Sequence, residues 1–332
     1  MNAVEFEQND NIYTFKGTIH TIADYIQCVE GFKKILDSKE KEKMKLYFRG
    51  EPKDYGNTAL CPSVYREKKL LENEHNIYRE MQRFNNLAFE ADKATIDYLC
   101  RMQHFICPTR LLDFSEDALT ALYFAVSEKQ ENDAVAYIVA VPEDKIKYYD
   151  SDTVSIIANL AKLPLDRKKD LQEESIKFMR AFCLMEKTNK KYNLACGTLD
   201  YLLHEVQSDK SYFGKKFVPQ DLFSVQCVKT KLTNERIRNQ KGAFLLFGLN
   251  IYDVNAPIPL LGKYEKPEYW KMEWKKPSDN IRILKINIGG CVKMENLENI
   301  GISTPYIFSE MDKVSEYLKT HLLTTQTKRS ST

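Results

Sequence analysis

Six side chains that can bind anions or transfer protons lie within thirteen residues of one another, inside the segment Arg101–Ala125. These side chains belong to Gln103, His104, Thr109, Arg110, Asp113 and Ser115. Histidine suits acid–base chemistry, arginine forms bidentate bonds to carboxylates and phosphates, and amides and hydroxyls orient a ligand. Two leucines and a phenylalanine are interleaved with them and predict burial, which would oblige the polar groups to find partners. The segment is therefore either a site or a rigid part of the architecture.

Two further polar segments stand near the ends of predicted strands. Arg49-Gly50 ends a short apolar strand, and Arg236 precedes Gln240-Lys241-Gly242, which leads into another strand. Three arginines and a histidine facing one cleft would favour an anionic ligand such as a phosphate or a pyrophosphate. Two alternatives stay open: Arg49 could pair with a nearby carboxylate, and Arg110 could pair with Asp113 to hold the loop.

Predicted helices and a loop would position the central side chains. Apolar spacing predicts helices over residues 21–36, 70–91 and 95–105, and the last of these carries Gln103 and His104 at its C-terminal end. A proline two residues before Arg110 favours a break, so residues 106–114 are interpreted as a loop. Ser115 or Asp113 is expected to cap the next helix, whose apolar sequence indicates burial.

Apolar runs elsewhere predict the strands of a sheet. They lie at residues 12–18, 46–50, 134–141, 222–229 and 281–288, and after Gln240. The pattern gives about six strands scattered among helices without regular alternation. It predicts an α+β fold with a mixed or antiparallel sheet packed against helices, and it argues against a Rossmann or TIM-barrel arrangement.

The same patterns divide the chain into five segments. Residues 1–45 are an N-terminal lead and helix, 46–143 the first part of the core, 144–215 a helical insertion, 216–322 the second part of the core, and 323–332 a disordered tail. The insertion contains a lone histidine, His204, which is interpreted as structural. A protein partner could bind through this insertion.

Composition and motif content exclude several classes of function. The 332 residues carry 49 basic and 47 acidic side chains, so the net charge of +2 gives no global attraction to nucleic acid or membranes. Eight cysteines without a CxxC pair predict buried, reduced thiols in a cytoplasmic protein, with neither a disulfide framework nor a metal site. No apolar run approaches membrane-spanning length. Motifs of P-loop, dinucleotide-binding, α/β-hydrolase and zincin proteins are absent from the sequence.

The central segment resembles the signature of the FRG domain family, which is named for a Phe/Tyr-Arg-Gly motif. Phe48-Arg49-Gly50 resembles the naming motif. Residues 103–115, with the sequence QHFICPTRLLDFS, resemble the family pattern Gln-His-aromatic-Gly-x-Pro-Thr-Arg-Leu-Leu-Asp-aromatic-Ser/Thr. Further fits lie at residues 121–125, 236–244 and 307–311. Ile106 stands where the family usually has Gly, which could alter how closely the loop approaches a ligand, and Ser309 stands where it usually has Pro.

A strand that ends in Tyr/Phe-Arg-Gly also resembles the first motif of arginine-type ADP-ribosyltransferases, whose arginine holds an NAD phosphate. This resemblance implies NAD as the cofactor, with His104, Gln240 and Glu310 as the catalytic candidates. The residues implied to bind the cofactor are Arg49, Gly50, Gln103, Thr109, Arg110, Asp113, Ser115 and Arg236. The chain departs from those enzymes because Gln240-Lys241-Gly242 offers no carboxylate.

Two other functions stay open. The same cleft without an acid–base group would make a non-catalytic module that senses a nucleotide or another phosphate-bearing signal, for example in a bacterial defence or toxin system. Basic runs at Lys187–Lys191, Lys215-Lys216 and Lys229–Lys231 would serve a nucleic-acid-processing protein, although such runs are more often solvated faces.

Overall fold

One nine-stranded sheet organises the part of the chain that the structure describes. The computed structural model describes residues 5–128, 134–185, 197–214, 219–231, 238–261, 281–308 and 310–319. The strands are β1 (Phe6–Asn9), β2 (Ile12–Ile19), β3 (Met44–Glu51), β4 (Leu111–Ser115), β5 (Ala134–Pro142), β6 (Lys147–Tyr148), β7 (Val225–Lys229), β8 (Gly242–Phe247) and β9 (Arg282–Ile288). They lie in the order β1-β2-β9-β5-β3-β4-β8-β7-β6.

Helices cover the sheet. They are α1 (Ile22–Lys39), α2 (Lys68–Glu72), α3 (Glu74–Phe84), α4 (Thr95–His104), α5 (Ala118–Val126), α6 (Asp152–Asn159), α7 (Leu165–Met185), α8 (Gly197–Asp209), α9 (Met294–Glu298), α10 (Thr304–Ile307) and α11 (residues 311–319). Strand pairs β2–β9 and β6–β7 are parallel, and the other neighbouring pairs are antiparallel. The predicted α+β class with a mixed sheet is confirmed.

The alternation of side chains along the central strands separates two hydrophobic cores. All nine residues of β5 are buried, as expected for a strand that is covered on both faces. Phe48 and Ile138 pack on one face with α1 and α5. Tyr47 and Val139 pack on the other face with α4 and α6–α8. Because successive residues of a strand point to opposite faces, Arg49 lies on the same face as Tyr47.

The predicted helix over residues 70–91 is shorter in the structure than the apolar spacing indicated. The chain forms α2 and α3, and a 3₁₀ turn (Asn86–Phe89) follows. Phe84 and Leu87 fit the apolar face of the longer predicted helix, but they are 71% and 80% exposed, whereas Leu71 and Tyr78 are buried. The predicted cap of α5 is also wrong, because the N-cap residue is Asp117, whose carboxylate accepts a hydrogen bond from the Leu119 backbone N–H.

The segment interpreted as a loop contains a strand. β4 pairs with β8 along its whole length and meets β3 where Ser115 faces Phe48. Four of its five residues are buried, and only Asp113 is exposed. Of the six polar residues of the central segment, Gln103 and His104 therefore lie on α4, Thr109 and Arg110 precede β4, and Asp113 and Ser115 belong to β4.

Helices of the predicted insertion share a core with the sheet. Val154 of α6, Leu171 of α7 and Leu202 of α8 belong to the same buried cluster as Tyr137 of β5. Among the helices that the structure describes, none is long and apolar enough to cross a lipid bilayer.

Candidate functional site: a polar pocket at the end of α4

Five of the predicted site residues line one pocket. It lies between the C-terminal end of α4 and strands β3, β4 and β8, and its volume is about 260 Å³. Arg49, Gln103, His104, Asp113 and Gln240 all contribute to its wall. The chain brings them together because β3, β4 and β8 are neighbours in the sheet and α4 leads directly into β4.

Arg49 is held by two carboxylates. Its Nε donates to Glu51 Oε1 at 3.1 Å, and its Nη1 donates to Asp113 Oδ1 at 2.9 Å and to the Asp113 carbonyl oxygen at 3.0 Å. Burial lowers the pKa of the Arg49 guanidinium, but Asp113 and Glu51 outweigh this effect, so the pKa is raised overall. The alternative that Arg49 pairs with nearby carboxylates is confirmed, and its charge is already balanced inside the protein.

A chain of side-chain hydrogen bonds orients the pocket wall. Thr109 Oγ1 donates to Gln103 Oε1 at 2.6 Å, and Gln103 Nε2 donates to Asp113 Oδ1 at 3.3 Å. Thr109 is 1% exposed, so it acts on the pocket through Gln103 rather than by touching a ligand. Asp113 thus receives bonds from both Arg49 and Gln103, and this fixes its carboxylate at the pocket surface.

The three catalytic candidates lie close to one another. His104 Nε2 is 3.6 Å from Glu310 Oε1, and His104 and Gln240 both line the pocket. Glu310 Oε2 and Gln240 Nε2 are buried and have no hydrogen-bond partner among the residues that the structure describes. Buried polar atoms of this kind call for a partner such as a ligand or a water molecule.

Ser115 fixes the backbone beside Gln240. Its Oγ donates to the Gln240 carbonyl oxygen at 2.6 Å and accepts from the Asp117 backbone N–H at 2.9 Å. Ser115 is 5% exposed, and its hydrogen bonds link β4 to the chain before β8. Arg236 and Ser309 lie outside the described residues.

Arg110, predicted to bind the cofactor, with pairing to Asp113 as the alternative, is not among the residues that line the pocket, and it pairs with Glu74. It is 0% exposed, and its Nε donates to Glu74 Oε1 at 2.8 Å while its Nη1 donates to the Phe247 carbonyl oxygen at 2.9 Å. Lys168 of α7 donates to the second oxygen of the same carboxylate. The Arg110–Asp113 pairing is therefore wrong, and Arg110 belongs to a buried triad with Glu74 and Lys168.

The electrostatics of this triad follow from its burial. Burial raises the pKa of Glu74, but Arg110 and Lys168 outweigh it, so the pKa is lowered overall. Burial also lowers the pKa of Lys168 to about 8, because the pull of Glu74 does not fully compensate. The carboxylate of Glu74 is the counter-charge of two cations, so its removal should destabilise the triad more than the removal of either cation.

Acid should remove the contribution of Glu74 to stability. Because its folded-state pKa is lowered, this stabilisation is present above its ordinary pKa of 4.5 and is lost as the pH falls through the folded-state value. The gap between the free energies of unfolding of the wild type and a Glu74→Gln variant should therefore narrow as the pH falls below 4.5. Urea unfolding at a series of pH values measures this gap, and a gap that stays constant would contradict the assignment.

Gly50 serves helix packing. A Cβ atom added there would lie 1.9 Å from the Ala121 carbonyl oxygen and 2.5 Å from the Ala125 backbone nitrogen, both in α5. The absence of a side chain at Gly50 therefore permits the close packing of β3 against α5. This packing explains why a strand residue next to Arg49 has no side chain.

Ile106 adopts a conformation that favours glycine. Its φ is +62°, in the left-handed region. The Ile106 N–H donates to the Gln103 carbonyl oxygen, and the Cys107 N–H donates to that of Met102, which is the Schellman pattern at the C-terminus of α4. Glycine is the usual residue at this position of the pattern, and this explains the family preference that Ile106 breaks.

Sequence reasoning missed several residues that shape the site. Glu51 and Glu74 are the buried partners of the two arginines, and Lys168 completes the triad. Glu74 fits the charged outer face of the long predicted helix, and no local sequence pattern distinguishes it from the other glutamates of that segment. Arg66, which precedes α2, also lines the pocket, and no motif in the sequence around it indicated a functional role.

The pocket offers only part of the set of polar groups that NAD would require. The pocket is slightly smaller than the range of about 300–1,000 Å³ that is usual for small-molecule sites. Its interior offers amides, an imidazole and a carboxylate, which suit hydroxyl groups, and Arg66 offers one exposed guanidinium for a phosphate. These residues fit one nucleotide half of NAD better than the whole dinucleotide.

Comparisons with known proteins support the resemblance to the FRG domain family. The family model described as the FRG domain matches residues 44–134, which include β3, α4, β4 and α5. No curated protein and no solved structure matches the chain. The matched residues contain both the Phe48-Arg49-Gly50 motif and the 103–115 signature. The chain therefore contains an FRG domain, which extends over residues 44–134.

Proposed function

We propose that the pocket at the end of α4 binds a nucleotide or another small phosphate-bearing molecule. The observation that carries this proposal is the convergence of Arg49, Gln103, His104, Asp113 and Gln240 on one concave surface. Pockets with a few convergent polar groups are the usual form of a small-molecule site. Within the described part of the chain, buried polar atoms of Gln240 and Glu310 have no hydrogen-bond partner, and a ligand would satisfy the amide of Gln240, which lines the pocket.

The arginines have different roles in this proposal. Arg49 is held by Glu51 and Asp113, so it orients the pocket wall and does not supply a free charge. Arg66 is exposed, lines the pocket and forms no ion pair with another described residue. We therefore assign the phosphate to Arg66, and the sugar hydroxyls to the polar groups of Asp113, Gln103 and Gln240.

Removing Arg66 should weaken nucleotide binding with little effect on folding. A charge-assisted hydrogen bond contributes about 1.5–3 kcal/mol, so Arg66→Ala should raise the Kd for ADP about tenfold or more. Lys68→Ala is a matched control, because Lys68 is an exposed cation two residues away that pairs with Glu72. Isothermal titration calorimetry measures both variants, and equal affinity of Arg66→Ala and wild type would contradict the phosphate assignment.

The enzymatic form of the proposal is an NAD-dependent activity similar to ADP-ribosyl transfer. The observation in its favour is the pair formed by His104 and Glu310 beside the pocket, since histidine and carboxylate side chains suit acid–base catalysis. Incubation with NAD and chromatographic detection of released nicotinamide tests it. Turnover that disappears in His104→Asn and Glu310→Gln supports an enzyme.

A non-catalytic sensing module is the second candidate. It is favoured by the ion pairs of Arg49 with Glu51 and Asp113, because Arg49 then offers no uncompensated charge to an NAD pyrophosphate. Saturable binding of ADP or NAD without turnover would support it.

The nucleic-acid alternative is not supported by Lys231, because this lysine pairs with Asp97. The basic runs at Lys187–Lys191 and Lys215-Lys216 lie outside the described residues.

A further inference from the structure

The most unusual backbone position in the pocket wall is Ile106. It is a β-branched residue with φ at +62°, a region in which such residues are true outliers. The hydrogen bonds of the Schellman pattern require this conformation but require nothing of the side chain. Glycine or asparagine would meet the same requirement with less strain.

Little packing against the described residues offsets this strain at Ile106. The Ile106 side chain is 85% exposed, so it buries little area in the folded protein. It nevertheless lines the pocket. Its neighbour Phe105 is 60% exposed, and the Phe105 ring centroid lies 4.7 Å from that of His104, another lining residue. Ile106 thus places an exposed apolar side chain at the rim of a pocket whose lining mixes polar and apolar residues, and the exposed Phe105 lies next to it in the chain.

Strain that persists without a structural benefit points to a role in binding. We infer that Ile106 is a specificity-determining contact of the pocket, and that its side chain packs against the flat ring of a nucleobase. This inference rests on the proposed function, which assigns the phosphate to Arg66 and the sugar to the polar lining residues and leaves the base to lie against Ile106. An apolar side chain removes ring surface from water, while the polar wall satisfies the rest of the ligand.

Replacing Ile106 should change stability and binding in opposite directions. Ile106→Gly and Ile106→Asn both relieve the backbone, so each should raise the Tm, by about 2 °C for a chain of this size. Each should also weaken ADP binding about tenfold, since the contact with the base is lost. The affinity for ribose 5-phosphate, which has no base, should stay within about twofold of the wild type.

Calorimetry with ADP, ligand-observed NMR with ribose 5-phosphate and thermal unfolding give the three readouts. If both variants bind ADP as tightly as the wild type, the inference is overturned while the pocket remains a nucleotide site. Loss of ribose 5-phosphate affinity in parallel with ADP also overturns it, because the effect would then come from the shape of the loop. A wild type that binds neither probe would overturn the proposed function together with the inference.

Discussion

Replacement of Glu74 by glutamine is expected to lower the free energy of unfolding at neutral pH by about 3–5 kcal/mol, the usual effect of removing one partner of a buried ion pair. Glu74 is 3% exposed, and the two cations that it binds, Arg110 and Lys168, are 0% and 1% exposed. The amide of glutamine keeps the shape of the side chain but not its charge. Two buried cations would then face each other without a counter-charge.

Glu80→Gln is the matched control for this experiment. Glu80 lies on the same helix, α3, and pairs with Arg83 at the surface, where its side chain is 52% exposed. Exposed pairs contribute little, so this variant should stay within about 0.5 kcal/mol of the wild type. Urea unfolding at neutral pH compares the three proteins. Equal stability of Glu74→Gln and Glu80→Gln would show that the triad does not support the fold.

The triad also connects the FRG domain to the rest of the chain. Glu74 and Arg110 lie within the matched residues 44–134, whereas Lys168 lies on α7, outside the match. The arginine of the central signature therefore shares its counter-charge, the Glu74 carboxylate, with a lysine from the helical segment. We expect the helical segment to unfold together with the sheet, in one transition.

Gly50→Ala is expected to destabilise the protein by about 2–4 kcal/mol, through overpacking. The added Cβ would stand 1.9 Å from a backbone oxygen of α5, and backbone atoms of a packed helix cannot move away as a flexible side chain can. Either α5 shifts or β3 bends, and both elements belong to the same buried core. The pocket wall at Arg49 would be disturbed as well.

Gly214→Ala provides the comparison for this substitution. Among the described residues, no atom lies within 4 Å of a Cβ placed at Gly214, so the same chemical change should alter stability by less than about 0.5 kcal/mol there. Thermal and urea unfolding of the two variants separate a steric effect at Gly50 from a general effect of losing a glycine. If both variants are equally stable, the close packing of β3 on α5 does not contribute to stability as we expect.

The sequence predicted the parts of the fold in which apolar residues follow one period. β5 and β9 agree with their predicted ranges to within one residue, because continuous or alternating apolar runs leave few other choices. β4 was missed since a proline and several polar residues hid a five-residue strand that is held by its neighbours β3 and β8. Tertiary pairing, not local preference, forms that strand.

The sequence also indicated which polar residues meet, but not which ones bind each other. Arg49, Gln103, His104, Asp113 and Gln240 lie in separate segments, and strand order alone brings them to one pocket. Partner choice depends on side-chain direction across elements that are far apart in the chain. For that reason Arg110 points away from Asp113 and reaches Glu74, which is separated from it by 36 positions.

A crystal structure of the protein grown with ADP tests the central claim most directly. The account predicts ADP density in the pocket at the end of α4, with a phosphate oxygen within hydrogen-bond distance of the Arg66 guanidinium and the base against Ile106. The ion pairs of Arg49 with Glu51 and Asp113 should remain intact. Density at another place on the protein, or a pocket that stays free of nucleotide at saturating ADP, would contradict the assignment of this pocket as the functional site.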